Sequence, residues 1–142
     1  MNDAAAEASS PEDAFSALSL DVSLTVADLA LSVAWYRDGL GFSAAEEHAR
    51  EGKLIAVSMR AGSARILLTE DDGARGTDRI KGAGFSMQFT TTQSIDGVAE
   101  RMRASGNQIA AEPADTPWGV RMMRLVDPDG FRMVVSSPRK GP

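Results

Sequence analysis

The 142-residue sequence contains no cysteine and a single histidine, His48. The missing cysteines exclude disulfides, thiolate metal sites and a cysteine nucleophile, and one histidine excludes every site that needs two imidazoles. Basic residues are also few: 15 Lys and Arg stand against 20 Asp and Glu. The resulting net charge of -5 gives no general attraction for phosphate backbones or anionic lipid. We therefore expect neither a nucleic-acid partner nor a membrane partner.

Long apolar runs are absent as well, since no stretch approaches the roughly 18 residues of a membrane span. Residues 1–17 are rich in Ala, Ser and Glu, and they carry acidic residues where a signal peptide would carry basic ones. The sequence predicts a disordered leader over residues 1–17 and a single domain over residues 18–138. It also predicts a cytoplasmic protein.

The first half of the remaining chain predicts one strand, one helix and three further strands. Leu20–Val26 alternates apolar and polar residues, as in a half-buried strand. Asp28 stands at the N-cap position of a helix with apolar residues at helical spacing, and Gly39 and Gly41 end it. Three strands follow over Ala45–Arg50, Leu54–Arg60 and Arg65–Thr69.

The second half repeats this order. Phe85, Met87 and Phe89 alternate with polar residues, and a helical pattern runs from Ile95 until it ends near Gly106. Strands are predicted over Gln108–Ala111, Arg121–Val126 and Phe131–Ser136. The sequence Asp127-Pro128-Asp129-Gly130 predicts a hairpin turn, because proline presets φ and glycine accepts a positive φ. The result is two βαβββ modules, about residues 20–70 and 84–137, in an α+β fold.

Five short motifs, in this order, resemble those of the vicinal oxygen chelate superfamily. That superfamily includes glyoxalases, extradiol dioxygenases, fosfomycin-modifying enzymes and bleomycin-binding resistance proteins. The motifs are V-x-D-L at Val26–Leu29, S-V-A-W-Y at Ser32–Tyr36, L-G-F at Leu40–Phe42, W-G at Trp118–Gly119 and D-P-D-G at Asp127–Gly130. The resemblance implies a cupped mixed sheet with helices on its outer face. It also implies a ligand cavity enclosed within one chain or across a homodimer.

Enzymes of that superfamily hold a metal ion at positions that correspond here to Asp21, Ser86 and Val134. An aspartate can bind a hard cation, but serine is a poor ligand and valine has no donor atom. Shifting the last strand by one residue offers Met133 or Val135, and neither completes the set. The resemblance, read with these residues, therefore predicts no metal and no other cofactor.

Strand parity predicts which residues line the cavity. If the apolar residues of each strand pack beneath the helices, the alternate residues face the cup. Trp118 is expected in a loop at its mouth. The candidate ligand-binding residues are Asp21, Ser23, Ser86, Gln88, Trp118, Met122, Arg124, Arg132 and Val134. The alternative is a solvated sheet face, which is the commoner situation for an antiparallel sheet.

Three of the polar or aromatic candidates have competing interpretations. Asp21 opposite Arg124 or Arg132 is either an ion pair that holds the sheet or, as a second choice, a base in a partly desolvated cup. Trp118 is either a buried structural residue or a flat platform for an aromatic ligand. His48 is expected at the surface rather than as a general base.

Two functions are favoured by this pattern, ahead of a third in which the chain is a subunit without a ligand and its sheet face only serves an assembly. The first is a metal-independent small-molecule binding protein of the bleomycin-resistance type, which sequesters an organic ligand, aromatic or cationic, and serves antibiotic resistance. The second is an enzyme: a glyoxalase-like lyase or isomerase, a dioxygenase-related enzyme with a non-standard site, or a cofactor-free catalyst with Asp21 as base and Arg124 as oxyanion partner. The incomplete metal set favours the binding protein.

Overall fold

A computed structural model describes residues 13–76 and 79–138 of the chain. It contains two consecutive βαβββ modules, so the predicted α+β fold is confirmed. The first module consists of β1 (Asp21–Val26), α1 (Leu29–Ala34) continued by a wider helical turn (Trp35–Leu40), β2 (Ser43–Arg50), β3 (Lys53–Ala61) and β4 (Ala64–Glu70). The second consists of β5 (Ser86–Thr90), α2 (Ile95–Ala104), β6 (Ala111–Asp115), β7 (Val120–Val126) and β8 (Arg132–Pro138).

Each module forms one four-stranded mixed sheet with the same connectivity. The strand orders are β1-β4-β3-β2 and β5-β8-β7-β6. In both sheets the first pair is parallel and the other two pairs are antiparallel. The registers also correspond, because Asp21 lies beside Arg65 in the first sheet as Ser86 lies beside Arg132 in the second. Equivalent positions of the two modules can therefore be compared residue by residue.

The first helix begins where the sequence predicts. Asp28 has an extended backbone, and its side chain accepts a hydrogen bond of 3.0 Å from the Leu31 amide, which is N-cap geometry. From Trp35 to Leu40 the helix widens to π-helical hydrogen bonding, a change that the apolar spacing does not reveal. The helix ends at Gly41, whose φ of 89° lies in the left-handed region that favours glycine.

One apolar core extends across both modules. On the second sheet, strand parity divides the residues as predicted. The buried residues are Met87, Met123, Leu125, Met133 and Val135. Ser86, Gln88, Arg124 and Arg132 point to the opposite side, which we call the open face. Edge-on aromatic contacts run from Trp35 through Tyr36 and Phe42 of the first module to Phe89 of the second.

Two details of the second module differ from the sequence prediction. The strand predicted over Gln108–Ala111 is wrong, because the observed β6 is Ala111–Asp115. It contains Pro113, which lacks an amide hydrogen and is tolerated because β6 is an edge strand that pairs with β7 alone. Phe85, predicted on the core face, precedes β5 and is 41% exposed, with its ring edge-on to Phe131.

The predicted hairpin turn at Asp127–Gly130 also joins the two modules. Its glycine has a φ of 94° and donates its amide hydrogen to the Asp127 carbonyl at 3.0 Å, so the turn is confirmed. The buried Asp127 carboxylate accepts a hydrogen bond of 2.8 Å from the Tyr36 hydroxyl of the first module. The Asp129 carboxylate accepts another of 2.8 Å from the Ala27 amide. Both acidic residues of the motif therefore bind the first module.

Burial dominates the electrostatics of the Asp127–Tyr36 pair. Desolvation raises the pKa of the Asp127 carboxyl above its usual 3.8, although hydrogen bonds from Tyr36 and from the amides of Phe131 and Asp129 act in the opposite direction. Burial, and then the adjacent Asp127 carboxylate, also raise the pKa of the Tyr36 phenol. This junction places hydrogen-bonded polar groups inside an otherwise apolar region.

In the described residues, no helix is long and apolar enough to cross a membrane. Residues 1–12 of the predicted leader lie outside the described ranges, and residues 13–20 are exposed and belong to no helix or strand. The leader and the domain boundary at residue 18 therefore stay predictions.

Candidate ligand-binding site

The open face of the second sheet borders a cavity of about 300 Å³, which we call the open-face cavity. Strand β8 lies between β5 and β7, so side chains from three strands meet on this face. Because side chains alternate along each strand, residues 86, 124, 132 and 134 point to the same side. The residues that determine its chemistry are Phe85, Ser86, Arg124, Val126, Arg132 and Val134.

Apolar side chains form part of the cavity wall. Val134 pairs with Gln88 on one side and Arg124 on the other, and it is only 6% exposed although it faces away from the core. Phe85 and Val126 are 41% and 42% exposed. Apolar surface in a concavity, with a few polar groups around it, is typical of small-molecule sites.

Arg124 and Arg132 supply the charge of the cavity. Their cross-strand neighbours are all uncharged: Ala111 and Val134 for Arg124, and Ser86 and Val126 for Arg132. Within residues 13–76 and 79–138, neither guanidinium forms an ion pair with a carboxylate. Arg132 donates a hydrogen bond of 3.3 Å to the Gly82 carbonyl. The open-face cavity is therefore positively charged, and no carboxylate of the described residues pairs with either guanidinium.

Arg121, on the same strand as Arg124, is in the opposite situation. Its guanidinium binds Asp96 through hydrogen bonds of 2.7 and 2.9 Å and Asp115 through one of 3.0 Å. These bonds raise the pKa of Arg121, and its guanidinium holds the pKa of the Asp96 carboxyl below the usual 3.8. The described part of the chain thus provides carboxylates for Arg121 and none for Arg124.

The structure brings together only some of the predicted site residues. Ser86, Arg124, Arg132 and Val134 line the open-face cavity. Gln88 lies next to it and donates a hydrogen bond of 3.1 Å from Nε2 to the Ser86 hydroxyl. Because it donates to the hydroxyl oxygen, Gln88 can orient the Ser86 hydroxyl from outside the cavity.

Asp21 and Ser23 belong to the first sheet, where they lie beside Arg65 and Leu67. Neither residue lines the open-face cavity, whose walls come from the second module alone. Within the described part of the chain, the ion pair expected between Asp21 and Arg124 or Arg132 is not formed. Asp21 and Arg124 therefore do not line the same cavity within the described residues of one chain.

Met122 and Trp118 also lie outside the lining of the open-face cavity. Met122 is half-buried on β7, two residues before Arg124. Trp118 is 71% exposed in the β6–β7 hairpin, so the expectation of a buried structural tryptophan is wrong. His48 is exposed on β2, which confirms the surface position expected for it.

A second cleft, of about 790 Å³, lies between the modules and was not predicted. It combines the end of the first helical segment, the β3–β4 turn and the segment from β5 to α2, so no local pattern could indicate it. Its cationic residue, Arg101, donates hydrogen bonds to the carbonyl oxygens of Asp38 at 3.1 Å and Arg37 at 3.3 Å. That guanidinium therefore holds the modules together.

The strand order and the module repeat agree with the match to a known protein family. The family model described as the glyoxalase/bleomycin resistance protein/dioxygenase superfamily matches residues 19–135. The chain belongs to this superfamily. The resemblance seen in the motifs is thereby confirmed. No curated protein matches the sequence.

Several solved structures share this fold. TioX from Micromonospora sp. ML1 is 18% identical with a TM-score of 0.70, and the match covers 86% of this chain and 99% of TioX. A hypothetical protein from S. aureus is 18% identical with a TM-score of 0.68, covering 87% and 95%. A glyoxalase/bleomycin resistance protein/dioxygenase from Nocardioides is 21% identical with a TM-score of 0.65, covering 91% and 87%. At these identities the likeness shows the fold alone.

The residues at the superfamily's metal positions do not fit a metal ion. Ser86 and Val134 lie on the open face of the second sheet, but the first offers only a hydroxyl and the second offers no donor. Asp21 belongs to the other sheet. Among the residues that the structure describes, no group of three or more His, Cys, Asp or Glu is placed to hold a metal. The donor set therefore disagrees with metal-dependent chemistry at these positions.

Proposed function

We propose that this protein binds a small organic molecule in the open-face cavity without a metal ion, as a binding protein of the bleomycin-resistance type. The observation that supports this most directly is Val134. It stands where the superfamily's enzymes carry a carboxylate ligand, and it forms an apolar part of the wall between polar groups. Binding of this kind needs shape, apolar surface and a few polar anchors, and none of these depends on a metal.

The cavity volume limits the size of the ligand. At about 300 Å³ the cavity lies at the lower end of the range of roughly 300 to 1,000 Å³ typical of ligand pockets. A ligand of one or two rings fits such a space. A larger molecule would have to extend past the exposed edges at Phe85 and Val126.

The proposal includes a homodimer in which the first sheet of a second copy covers the open-face cavity. The cavity walls come from one sheet, while the equivalent face of the first sheet presents Asp21, Arg60 and Arg65 in one cross-strand row. Light scattering at micromolar concentration should give twice the chain mass of 15.0 kDa. A stable monomer would contradict the shared cup. The cytoplasmic location and the role in antibiotic resistance stay predictions.

Titration calorimetry in excess chelator tests the binding itself. The ligands are bleomycin-type antibiotics, flavins and small aromatic metabolites, and we expect at least one to bind with the chelator present. Val134→Phe should fill the cavity and weaken that binding at least about tenfold. Leu31→Phe, at an exposed position of α1, is the matched control and should have no effect. Binding that needs added Ni²⁺, Zn²⁺ or Mn²⁺ would rule out the metal-independent site.

A third variant shows whether the cup is shared between chains. Leu67 occupies the position in the first sheet that Val134 occupies in the second. Leu67→Phe should weaken binding if a second copy covers the open-face cavity, and it should leave binding unchanged if one chain suffices. This variant separates the dimer from the binding activity.

A further inference from the structure

We infer that the ligand of the open-face cavity carries an anionic group, a carboxylate or a group of similar shape, which binds between Arg124 and Arg132. This inference rests on the proposed function and specifies its ligand class. It keeps the aromatic part of the predicted aromatic or cationic ligand and replaces the cationic alternative with an anionic one. An apolar portion attached to the anionic group would contact Val134, Phe85 and Val126.

The first support is the charge of the site. Arg132 pairs directly with Ser86 and Val126, and Arg124 pairs with Val134, two residues along β8 from Arg132. The two guanidinium groups therefore lie diagonally on adjacent strands, at the spacing where long side chains still interact. Like charges so placed repel each other, whereas an anion bound between them would attract both guanidinium groups and offset that repulsion.

The second support is the absence of competition from the chain. The protein as a whole is acidic, with a net charge of -5, yet no described carboxylate forms an ion pair with either arginine. Arg121 nearby is bound by two carboxylates, and Arg101 in the larger cleft donates to backbone carbonyls. Arg124 and Arg132 therefore line a cavity and remain available to bind an external anion.

The third support is the shape of the binding groups. A guanidinium presents its donors in a planar fork that matches the two oxygens of a carboxylate. The Ser86 hydroxyl lies beside Arg132 in the register and can donate a further hydrogen bond to such an oxygen. The adjoining wall is apolar, and it includes Val134 at the centre of the sheet face. Together these groups favour an amphiphilic acid over free inorganic anions.

A matched set of three probes tests the inference. 1-Naphthoate, 1-naphthamide and 1-naphthylmethylammonium share the same rings and differ in charge. Calorimetric titration of the full chain should show naphthoate binding at least about tenfold more tightly than the amide, and the ammonium compound binding most weakly. Naphthoate affinity should fall between low and physiological salt, because its charge is part of the interaction.

Variants locate the effect. Arg124→Gln and Arg132→Gln should each lower naphthoate affinity at least about tenfold while changing naphthamide affinity little. Arg37→Gln removes the same charge from an exposed helical position outside the cavity and should leave both affinities unchanged. Arg132→Lys keeps the charge but not the planar fork, and it should retain part of the affinity. Unfolding curves of each variant confirm that the fold is intact.

The results that would overturn the inference are of two distinguishable kinds. Equal binding of the amide, or naphthoate binding that both glutamine variants leave unchanged, would refute the anionic ligand class while the proposed small-molecule site stands. No binding of any of the three probes at about 1 mM, together with silence of the wider ligand panel, would refute the inference and the proposed function together.

Discussion

The two sheets have the same strand order and pairing, yet their open faces carry different charges. At one pair of equivalent positions the first sheet sets Asp21 beside Arg65, whereas the second sets Ser86 beside Arg132. At another pair, Ser58 of the first sheet corresponds to Arg124 of the second. In the register the first open face thus sets an acidic residue beside a basic one, although no ion pair forms between them among the described residues, whereas the second sets a serine beside the basic residue. A repeated architecture can therefore present two faces of different charge.

Hydrogen bonds also join the two modules, and donors and acceptors are divided between them. At the Asp127–Gly130 turn the first module supplies donors, which include the Tyr36 hydroxyl and the Ala27 amide. The second supplies the acceptors, which are the carboxylates of Asp127 and Asp129. Lys81 adds a cation within 3.4 Å of Asp129 and within 3.2 Å of Asp71. Polar contacts thus reinforce the junction beside the aromatic series that crosses it.

The largest expected effect is on the free energy of unfolding, at equivalent core positions of the two modules. Ile66 and Met133 occupy the same place in β4 and β8, and each is 1% exposed. We expect Ile66→Ala to lower the free energy of unfolding by about 4 kcal/mol and Met133→Ala by about 3 kcal/mol. The second is smaller because neighbouring methionines can shift to fill the space. Urea unfolding measures both, and a larger loss for Met133→Ala would refute this difference.

The next effect is at the junction. Asp127→Ala should cost about 3 kcal/mol, because it leaves the Tyr36 hydroxyl and two turn amides without their acceptor. Asp127→Asn should cost less than about 1 kcal/mol, since the amide oxygen can accept from the turn and the amide nitrogen can donate to the hydroxyl. Equal losses for the two variants, in chemical denaturation at pH 7, would show that these hydrogen bonds do not stabilise the junction.

A smaller effect exchanges the charge pattern between the sheets. Ser86→Asp copies the first sheet's pairing and should lower naphthoate affinity about tenfold, or about 1.4 kcal/mol, because the new carboxylate competes for Arg132. The reciprocal variant, Asp21→Ser, should alter naphthoate affinity if the first sheet of a second copy covers the cavity as proposed, and should leave it unchanged if one chain forms the site. Both are measured by titration calorimetry. Unaltered binding by Ser86→Asp would mean that Arg132 does not contact the anion.

The smallest effect is the pH dependence of stability. In the folded state the pKa of the Asp127 carboxyl is raised above 3.8. The contribution of this group to the free energy of unfolding is therefore present below pH 3.8 and is lost as the pH rises through the folded pKa. The stability of Asp127→Asn relative to the parent should therefore increase over that window. Asp71, whose pKa is lowered to about 2 mainly by the Gly73 amide, titrates alike in both proteins and cancels. A constant difference across the window would contradict the raised pKa.

Much of the fold followed from local patterns. The strand alternation before Asp28, the helix cap and the Asp127–Gly130 turn were all predicted, because each depends on a few neighbouring residues. Strand β6 was predicted wrongly, since Pro113 is acceptable only at a sheet edge and a single sequence does not show which strands lie at edges. The π-helical turn was missed because its apolar spacing resembles that of an α-helix.

The candidate site was predicted less completely. Parity correctly put Ser86, Arg124, Arg132 and Val134 on one face, because alternation along a strand is a local property. It could not show that Asp21 and Ser23 lie on a separate sheet, outside the open-face cavity. Nor did it indicate Phe85 or Val126, which reach the cavity through its rim.

The sequence by itself determined the two modules and the lack of a complete metal-ligand set, because valine has no donor atom in any fold. Only the tertiary structure decided which charges are paired. Tyr36 contacts Asp127 across 91 residues, and within the described residues Arg121 binds two carboxylates while Arg124 binds none. These outcomes depend on strand register and on how the modules pack, and both are set by contacts between residues far apart in the chain.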